Sequence, residues 1–199
     1  QEFLAQHKRI IFNGDGYSSE WEEEALRRGL PNHKNTVDAM KCLKDEKNIK
    51  MLSRQGVYSQ VELASRYEIL LENYNKAIRV EALTALKMAK NEIYPATLRY
   101  LKDITKTALD IKETGIDNDF IVEDINELAL LLSQMKKQIK ELETKIDNIS
   151  KCKDDIMEQA IMWRDDVFVV MNQLRETADI IETKVDESSA NSRDGRKEY

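Results

Sequence analysis

The sequence predicts an all-α protein: a long-helix antiparallel bundle with a coiled-coil-like helical hairpin, preceded by a short, mostly helical N-terminal connector. Three observations predict this class. The 199 residues include only 6 Gly and 2 Pro, so few positions interrupt a helix. Hydrophobic residues make up 41% and charged residues 34% of the chain, a balance typical of amphipathic helices. Apolar residues also recur every three or four positions through most of the chain after Ser59.

The net charge and the composition indicate which classes of binding partner are not expected. The chain carries 31 basic and 37 acidic residues, a net charge of −6 that repels nucleic acid and anionic lipid. No apolar run approaches the roughly 20 residues that span a bilayer, and the N-terminus has no apolar signal segment. We therefore expect a cytoplasmic protein without nucleic-acid or membrane partners. Because the chain opens on Gln1 and not on Met, we expect it to be a fragment.

Residues 1–58 are predicted to form a connector of short helices. Residues 9–12, Arg-Ile-Ile-Phe, are the best strand candidate because this apolar run ends at the turn sequence Asn-Gly-Asp-Gly at 13–16. Ser19 and Glu22 have the spacing of a capping box at the start of a helix. Further short helices are expected between there and Gly56, the first ending at Gly29 and the next beginning at Asn35 or Thr36.

Residues 59–185 are predicted to form the bundle. Ser59 and Glu62 form a second capping box, and a helical apolar stripe continues to Gly115, with a kink expected at Pro95. The sequence leaves open whether this stretch is one bent helix or two. The stripe consists of Ile78, Ala82, Leu86, Ala89, Ile93, Leu101, Ile104, Ala108 and Ile111.

Heptad spacing of apolar residues predicts the hairpin, with arms at about 119–148 and 154–184. The first arm carries Ile125, Leu128, Leu132, Met135, Ile139, Leu142, Ile146 and Ile149, and the second Ile156, Ala160, Trp163, Val167, Val170, Leu174 and Ile181. One uninterrupted helix about 90 Å long is also compatible with this phase. We favour a hairpin that turns near 148–154, because two antiparallel arms bury each other's stripes. Residues 186–199 have no apolar periodicity and are expected to form a flexible tail.

Two arrangements suggest chemistry and are interpreted as structural. The loop at 13–16 before a helix N-terminus suggests anion binding, but a dinucleotide fingerprint needs a third glycine where Ser19 stands. Acidic residues, among them Asp15 and Glu20, would also repel a phosphate there. His7 and His33 lack a Glu three residues before them, so a di-iron bundle site is not expected.

The remaining reactive side chains are assigned to packing or to solvated faces. Cys42 and Cys152 follow no metal spacing and show no activating motif, so we expect reduced thiols, although the sequence leaves a disulfide open. The two tryptophans, Trp21 and Trp163, suit burial, and four methionines suit adaptable packing: Met135, Met157, Met162 and Met171. We interpret four glutamates as residues of solvated helix faces: Glu62, Glu68, Glu81 and Glu92. The sequence therefore predicts no catalytic, cofactor-binding or metal-binding residue.

Several segments resemble type III glutamine synthetases in the part that follows the catalytic domain. The most specific are His-Lys-Arg-Ile-Ile-Phe-Asn-Gly-Asp-Gly-Tyr-Ser at 7–18, Glu-Trp at 20–21, Arg-Gly-Leu-Pro-Asn at 28–32 and Thr-Val-Asp-Ala at 36–39. The similarity continues at 62–63, 65–68, 81–82, 88–90, 95–96, 98–100, 164–165 and 175–179. After Val185 the chain departs from the family, which usually ends in a Trp-Pro-containing segment followed by Pro-Thr-Tyr.

The resemblance implies a parent enzyme that joins glutamate and ammonia, uses ATP with Mg or Mn, and forms a homo-oligomer. Its metal, nucleotide and glutamate ligands lie before His7, so the resemblance assigns no catalytic role and no bound cofactor to any residue of this chain. The chain is then a structural and assembly region that is inactive by itself. The alternative is a stand-alone coiled-coil interaction module, in which residues 7–32 would have no role.

Overall fold

The computed structural model describes residues 2–8, 11–152 and 155–185. Within these ranges it contains nine α-helices and no β-strand, which confirms the all-α class. The helices are α1 (Glu2–Gln6), α2 (Ser19–Arg27), α3 (Thr36–Lys41), α4 (Glu46–Arg54), α5 (Gln60–Met88), α6 (Tyr94–Glu113), α7 (Asp119–Lys151), α8 (Ile156–Met162) and α9 (Phe168–Glu182). The chain divides into two compact units, Gln1–Tyr67 and Glu68–Tyr199, at a point within α5.

Helix α2 begins one residue earlier than the sequence predicted. The cap is Ser18, whose side-chain oxygen accepts the Trp21 N–H at 3.4 Å, and Ser19 is the first helical residue. The third residue after the cap is thus a tryptophan, so the predicted capping box of Ser19 and Glu22 does not form. The Glu22 carboxylate instead lies 2.6 Å from Lys34 Nζ.

The helix ends in the first unit follow the predicted turn chemistry. Asn35 caps α3, since its Oδ1 accepts the Asp38 N–H at 2.9 Å. Gly29 and Gly56 have positive φ angles of 68° and 66°, which glycine adopts at little cost. The N–H groups that follow these glycines reach back across the last helical turn, from Leu30 to the Ala25 carbonyl at 2.9 Å and from Val57 to the Leu52 carbonyl at 3.0 Å.

The strand prediction at 9–12 is wrong for the two positions that the structure describes. Ile11 and Phe12 are irregular backbone, while Arg9 and Ile10 lie outside the described residues. The Ile11 carbonyl accepts a hydrogen bond from Arg28 Nη1 at 2.7 Å, and the Phe12 ring packs on Trp21 with 4.7 Å between centroids. Side chains of α2 and its end thus satisfy this segment where a strand would need a neighbouring strand.

An ion-pair cluster closes α2. The Glu24 carboxylate accepts hydrogen bonds from Arg27 Nε and Nη2 at 2.6 Å and also contacts Arg28 Nε. These contacts, with Arg27 the larger contributor, lower the pKa of Glu24 to about 2. The same Arg28 that binds Glu24 also donates to the Ile11 carbonyl, so the cluster connects α2 to the preceding loop.

The first long helix starts at the predicted capping box. The Glu62 carboxylate accepts the Ser59 N–H at 2.7 Å, and the Ser59 hydroxyl accepts the Glu62 N–H at 3.2 Å. The hydrogen bond from the Ser59 backbone N–H is the largest cause that lowers the pKa of Glu62, and the hydrogen bond from the Ser59 hydroxyl lowers it further. This reciprocal pairing satisfies two N–H groups that a bare helix end would leave without partners.

One continuous helical path runs from Gln60 to Glu113. Helices α5 and α6 are joined by a π-helical turn at Ala89–Ile93, directly before Pro95. Proline has no N–H for the carbonyl four residues earlier, and its ring would clash with that carbonyl in a regular α-helix. The wider turn accommodates both effects, which explains why the helical path continues through Pro95.

Helix α7 and the path formed by α8 and α9 make the predicted antiparallel hairpin. The second path also contains a π-helical turn, at Trp163–Val167. Four polar pairs connect the arms: Lys184–Glu127 at 2.8 Å, Gln134–Thr177 at 3.2 Å, Gln138 to the Gln173 carbonyl at 3.2 Å, and Lys145–Asp166 at 3.1 Å. The two residue numbers of every pair add up to the same total, so the register is constant along the arms. One uninterrupted helix over this region is therefore excluded.

The hairpin and the α5–α6 path share one apolar core. Its buried members are Ala82, Ala89, Met135, Ile139, Leu142, Ile146, Ile149, Trp163, Val167, Val170, Leu174, Ala178 and Ile181. Most of the predicted seam is buried, whereas Ile125 and Ile156 at the margins are half-buried. The turn falls between Lys151 and Ile156, with Asp155 as the cap of α8. Residues 153–154 and the predicted tail at 186–199 lie outside the described residues.

Replacing a seam leucine tests the packing of this core. Leu142 is fully buried in α7, so Leu142→Ala should lower the free energy of unfolding by about 2–5 kcal/mol. Leu130 on the same helix is 71% exposed, and Leu130→Ala should change it by less than about 0.5 kcal/mol. Urea denaturation followed by circular dichroism measures both variants. Equal losses in the two would contradict the assigned faces of α7.

The ion-pair cluster of α2 predicts a pH dependence. Because the folded-state pKa of Glu24 is depressed to about 2, its contribution to stability is present above the ordinary carboxyl pKa. This contribution is lost as the pH falls from there toward 2. The difference in melting temperature between the wild type and Glu24→Gln should therefore shrink across that interval. Glu23→Gln is the control, since no described residue forms an ion pair with Glu23; an identical pH response would contradict the assignment.

Candidate functional site

The loop before α2 is organised by its own hydrogen bonds. Asp15 Oδ1 accepts the Tyr17 N–H at 2.9 Å, and the Ser18 hydroxyl donates to the Asp15 carbonyl at 2.8 Å. Ser18 also caps α2, and Glu20 and Glu22 occupy the first helical turn. Negative charge at this end interacts favourably with the helix dipole and disfavours a bound anion.

Gly14 has a steric role in the same loop. A Cβ atom at this position would lie 2.7 Å from two carbons of the Phe12 ring. The loop therefore passes close under that ring, which in turn packs against Trp21. Because Gly14 has no side chain, the Phe12 ring can lie against this loop and pack on Trp21.

The structure brings together Cys42 and His33, which sequence spacing did not connect. The Cys42 Sγ lies 3.2 Å from His33 Nε2, at the surface of the first unit. The two residues flank α3, and the cap at Asn35 together with the short 3₁₀ turn at Cys42–Lys44 sets their separation. A nine-residue spacing across a short helix is no known motif, so the sequence offered no signal for the contact.

The glutamates that were assigned to solvated helix faces have separate surroundings in the structure. Glu62 belongs to the capping box of α5, Glu68 is exposed, and Glu81 borders a groove of the second unit. Within the described ranges, no group of three or more His, Cys, Asp or Glu side chains is arranged to hold a metal ion. Cys42 and Cys152 are both reduced and form no disulfide with each other.

A small cavity lies between α6, α7 and the end of α9. Its volume is about 290 Å³, and it is lined by Tyr100, Ile104, Thr107, Ile121, Asp124, Leu128 and Lys184. A hydrogen bond to Glu127 raises the pKa of Lys184, which keeps that ammonium charged. The Lys184 ammonium beside this cavity is thus paired with Glu127, and this ion pair connects the first turns of α7 to the end of α9.

A groove of about 460 Å³ lies between the α5 path and α9. Its floor is mainly apolar and includes Met88, Ile93, Phe168 and Met171. Side chains of this type provide adaptable packing surface and carry no chemistry of their own.

The largest of the three cavities, about 570 Å³, lies between α5 and the turn of the hairpin. Its lining combines buried apolar groups such as Trp163 with polar groups, among them Asn75, Arg79 and Gln159. It is the one of these three cavities that places a buried amide beside a cationic side chain.

No helix in the described ranges is long and apolar enough to cross a membrane. The two tryptophans take packing positions, since Trp163 is only 4% exposed in the core and Trp21 stacks on Phe12.

Comparisons with known proteins all point to the same family. The model of the glutamine synthetase C-terminal domain family matches residues 1–112. Glutamine synthetase of Butyrivibrio fibrisolvens is 34% identical over 189 residues, which cover 94% of this chain and 27% of that protein. Type-3 glutamine synthetase of Dictyostelium discoideum is 42% identical over 111 residues, which cover 56% of this chain and 15% of that protein.

A third relative, glutamine synthetase of Bacteroides fragilis (strain YCH46), is 26% identical over 193 residues, or 94% of this chain and 26% of that protein. The chain therefore spans about a quarter or less of the length of these relatives. The family match covers more than half of the chain, including the loop at 13–16, α2 and the α5–α6 path. This chain belongs to the glutamine synthetase C-terminal domain family, as its resemblance to the type III enzymes predicted.

Proposed function

We propose that this chain is the C-terminal structural and assembly region of an ATP-dependent glutamate–ammonia ligase, and that it is not catalytic by itself. The observation that carries the proposal is the family match over residues 1–112, which extends from the connector through the first long helical path. Relatives named glutamine synthetase extend far beyond the stretch they share with this chain. We assign the ATP, Mg or Mn and glutamate ligands of the parent enzyme to that remaining part.

The packing of the second unit supports a structural role. The α5–α6 path and the two arms of the hairpin bury one continuous core, which fixes three helical paths against one another. Polar pairs such as Lys90–Glu143 at 2.6 Å and Lys145–Asp166 at 3.1 Å flank this core. Long helices held in this way form a stiff element, which suits a region that supports a larger enzyme.

The proposal includes assembly of the parent enzyme as a cytoplasmic homo-oligomer, and exposed apolar side chains of this region are available for its subunit contacts. Leu109, Phe120 and Leu130 are 60%, 62% and 71% exposed. Removing such side chains from water favours association between subunits. The alternative of a stand-alone interaction module is less well supported, because the family match includes the connector, for which such a module has no use.

The first test is the activity of the chain alone. The 199-residue chain, supplied with glutamate, ammonium, ATP and Mg, should form no glutamine above the uncatalysed background. The full-length relative from Butyrivibrio fibrisolvens, assayed under the same conditions, is the positive control. Glutamine formation by the isolated chain would overturn the proposal.

The second test uses two neighbouring valines of α9 in the full-length parent enzyme. Val170 is 1% exposed, and Val170→Asp places an unpaired carboxylate in the core, which costs several kcal/mol. This variant should lose the assembled state in light scattering and lower the rate of glutamine formation, while subunits still bind ATP. Val169 is 46% exposed, so Val169→Asp should preserve the helical fold of the region.

Two outcomes of this second test would contradict the proposed role. Full assembly and activity of Val170→Asp would show that the core of this region does not support the enzyme. Loss of ATP binding by Val169→Asp, with its helical fold preserved, would place the region in the nucleotide site.

A further inference from the structure

The groove between the α5–α6 path and α9 opens directly onto the core of the second unit. Ala89, Leu174 and Ala178 are buried members of that core, and they also line the groove. Ala89 and Ala178 have short side chains, which is why space remains between the two helices at this point. A segment that lies in the groove would therefore extend a core that already exists.

The apolar side chains higher in the groove are accessible to a partner. Met88 and Phe168 are 45% and 41% exposed, and Met171 is half-buried. Removing such side chains from water favours association with another apolar surface. Methionine also adapts its shape to a partner, because its side chain is unbranched and flexible. These three residues thus provide an open contact surface above the core.

The dimensions of the groove fit an α-helix. One wall extends from Glu81 to Ile93, and the other extends along α9 from Phe168 to Glu182. At ~1.5 Å per residue, each wall is roughly 20 Å long, which is the length of about 13 helical residues. Three helical paths already share the core below, so a helix in the groove would complete a four-helix arrangement.

The charges beside the groove indicate which kind of helix fits it. Three described lining residues carry a carboxylate: Glu81 on one wall, and Asp179 and Glu182 on the other. Arg175 is the one cation among the described lining residues, and its Nε lies 3.7 Å from Asp179 Oδ2. Neither Glu81 nor Glu182 pairs with a described cation. Both walls thus favour a partner with cationic side chains beside its apolar stripe.

Helix α7 of a second copy would not meet both requirements. It carries exposed lysines at 136, 137 and 140, which have the charge that the groove favours. Its apolar stripe, however, is buried in its own core, with Met135 and Leu142 inaccessible to solvent. A helix that offers cations and a free apolar stripe together has to come from a different polypeptide.

We propose that this groove is a docking site for a basic amphipathic helix of another protein. The apolar stripe of that helix packs on Met88, Phe168 and Met171, and its lysine or arginine side chains lie beside Glu81 and Glu182. The proposal goes beyond the structural role proposed above and does not depend on it, because every residue of the groove lies within the second unit.

The test is a fluorescence-anisotropy titration of a labelled synthetic peptide with the 199-residue chain. The peptide has about 14 residues, all leucine or lysine, spaced so that an α-helix carries the leucines on one face. It should bind saturably, with a dissociation constant in the micromolar range.

Two control peptides separate the roles of charge and amphipathicity. The first has glutamate in place of every lysine, so the carboxylates of the groove repel it. The second has the same composition as the binding peptide, but leucine and lysine alternate, so no face of a helix is apolar. Each control should bind at least about tenfold more weakly, which corresponds to ~1.4 kcal/mol.

Matched pairs of variants locate the binding site on the chain. Phe168→Ser should weaken binding by about tenfold, whereas Val169→Ser should not, since Val169 is similarly exposed but does not line the groove. Glu81→Lys and Glu182→Lys should each weaken binding several-fold. Glu176→Lys is their control, because this exposed residue of α9 lies outside the groove lining and its replacement changes the net charge equally. The charge variants alter exposed residues, so they keep the test decisive if Phe168→Ser fails to fold.

The proposal is overturned by any of four results: no saturable binding of the leucine–lysine peptide, equal binding of either control peptide, an equal loss in Phe168→Ser and Val169→Ser, or an equal loss in Glu176→Lys and the two groove variants. Light scattering of the chain without peptide examines the other occupant. A dimer that Phe168→Ser dissociates would assign the groove to a second copy, which also overturns the proposal. None of these results bears on glutamine formation by the parent enzyme, because the titration measures binding without turnover.

Discussion

The packing of α7 against the α8–α9 path is the interaction on which the second unit depends. Both arms present apolar side chains at alternating three- and four-residue steps, so each arm can cover the stripe of the other along its length. Met135, Leu142 and Trp163 lie at the centre of the core that results. Because the register is constant, a shift of one helical turn would separate every polar pair as well as the apolar contacts. Packing and polar pairs thus specify the same arrangement.

The first unit is held together by different means. Its described core includes Ala25, Val37, Leu63 and Tyr67, which is little apolar surface for so many short helices. Caps, glycine turns and contacts of cations with rings add to it, such as Lys44 Nζ at 4.0 Å from the Tyr67 ring. Each of these contacts requires a particular type of residue, which is why a specific sequence is needed at so many positions. This is also the part with the most specific resemblance to type III glutamine synthetases.

The proposed structural role follows from the way the second unit uses its helices. An element in which three helical paths share one core is well suited to support a larger enzyme. The same packing leaves a cavity where α5 meets the turn of the hairpin, and Asn75 connects the two across it.

Much of the fold was predictable from the sequence because helical periodicity and capping are local signals. The seam from Leu128 to Ile149 and the box at Ser59 and Glu62 were predicted residue by residue, and the structure confirms them. The errors arose where a local pattern had two solutions. Ser18 and Ser19 both suit a cap, and an apolar run at 9–12 suits a strand until its neighbours are known. The sequence likewise left open whether the helix continues through Pro95, since a π-helical turn can accommodate the missing N–H.

The candidate site could not be predicted from the sequence. Asn75 and Ile156 are 81 positions apart, and only the closed hairpin brings the turn of one helical pair against the middle of another helix. Cys42 and His33 are close for the same kind of reason, since the path of a short helix sets their distance. Periodicity determines which face of each helix avoids water. Which polar atom then remains without a partner, and beside which charge, depends on how several helices meet, and the tertiary structure alone decides it.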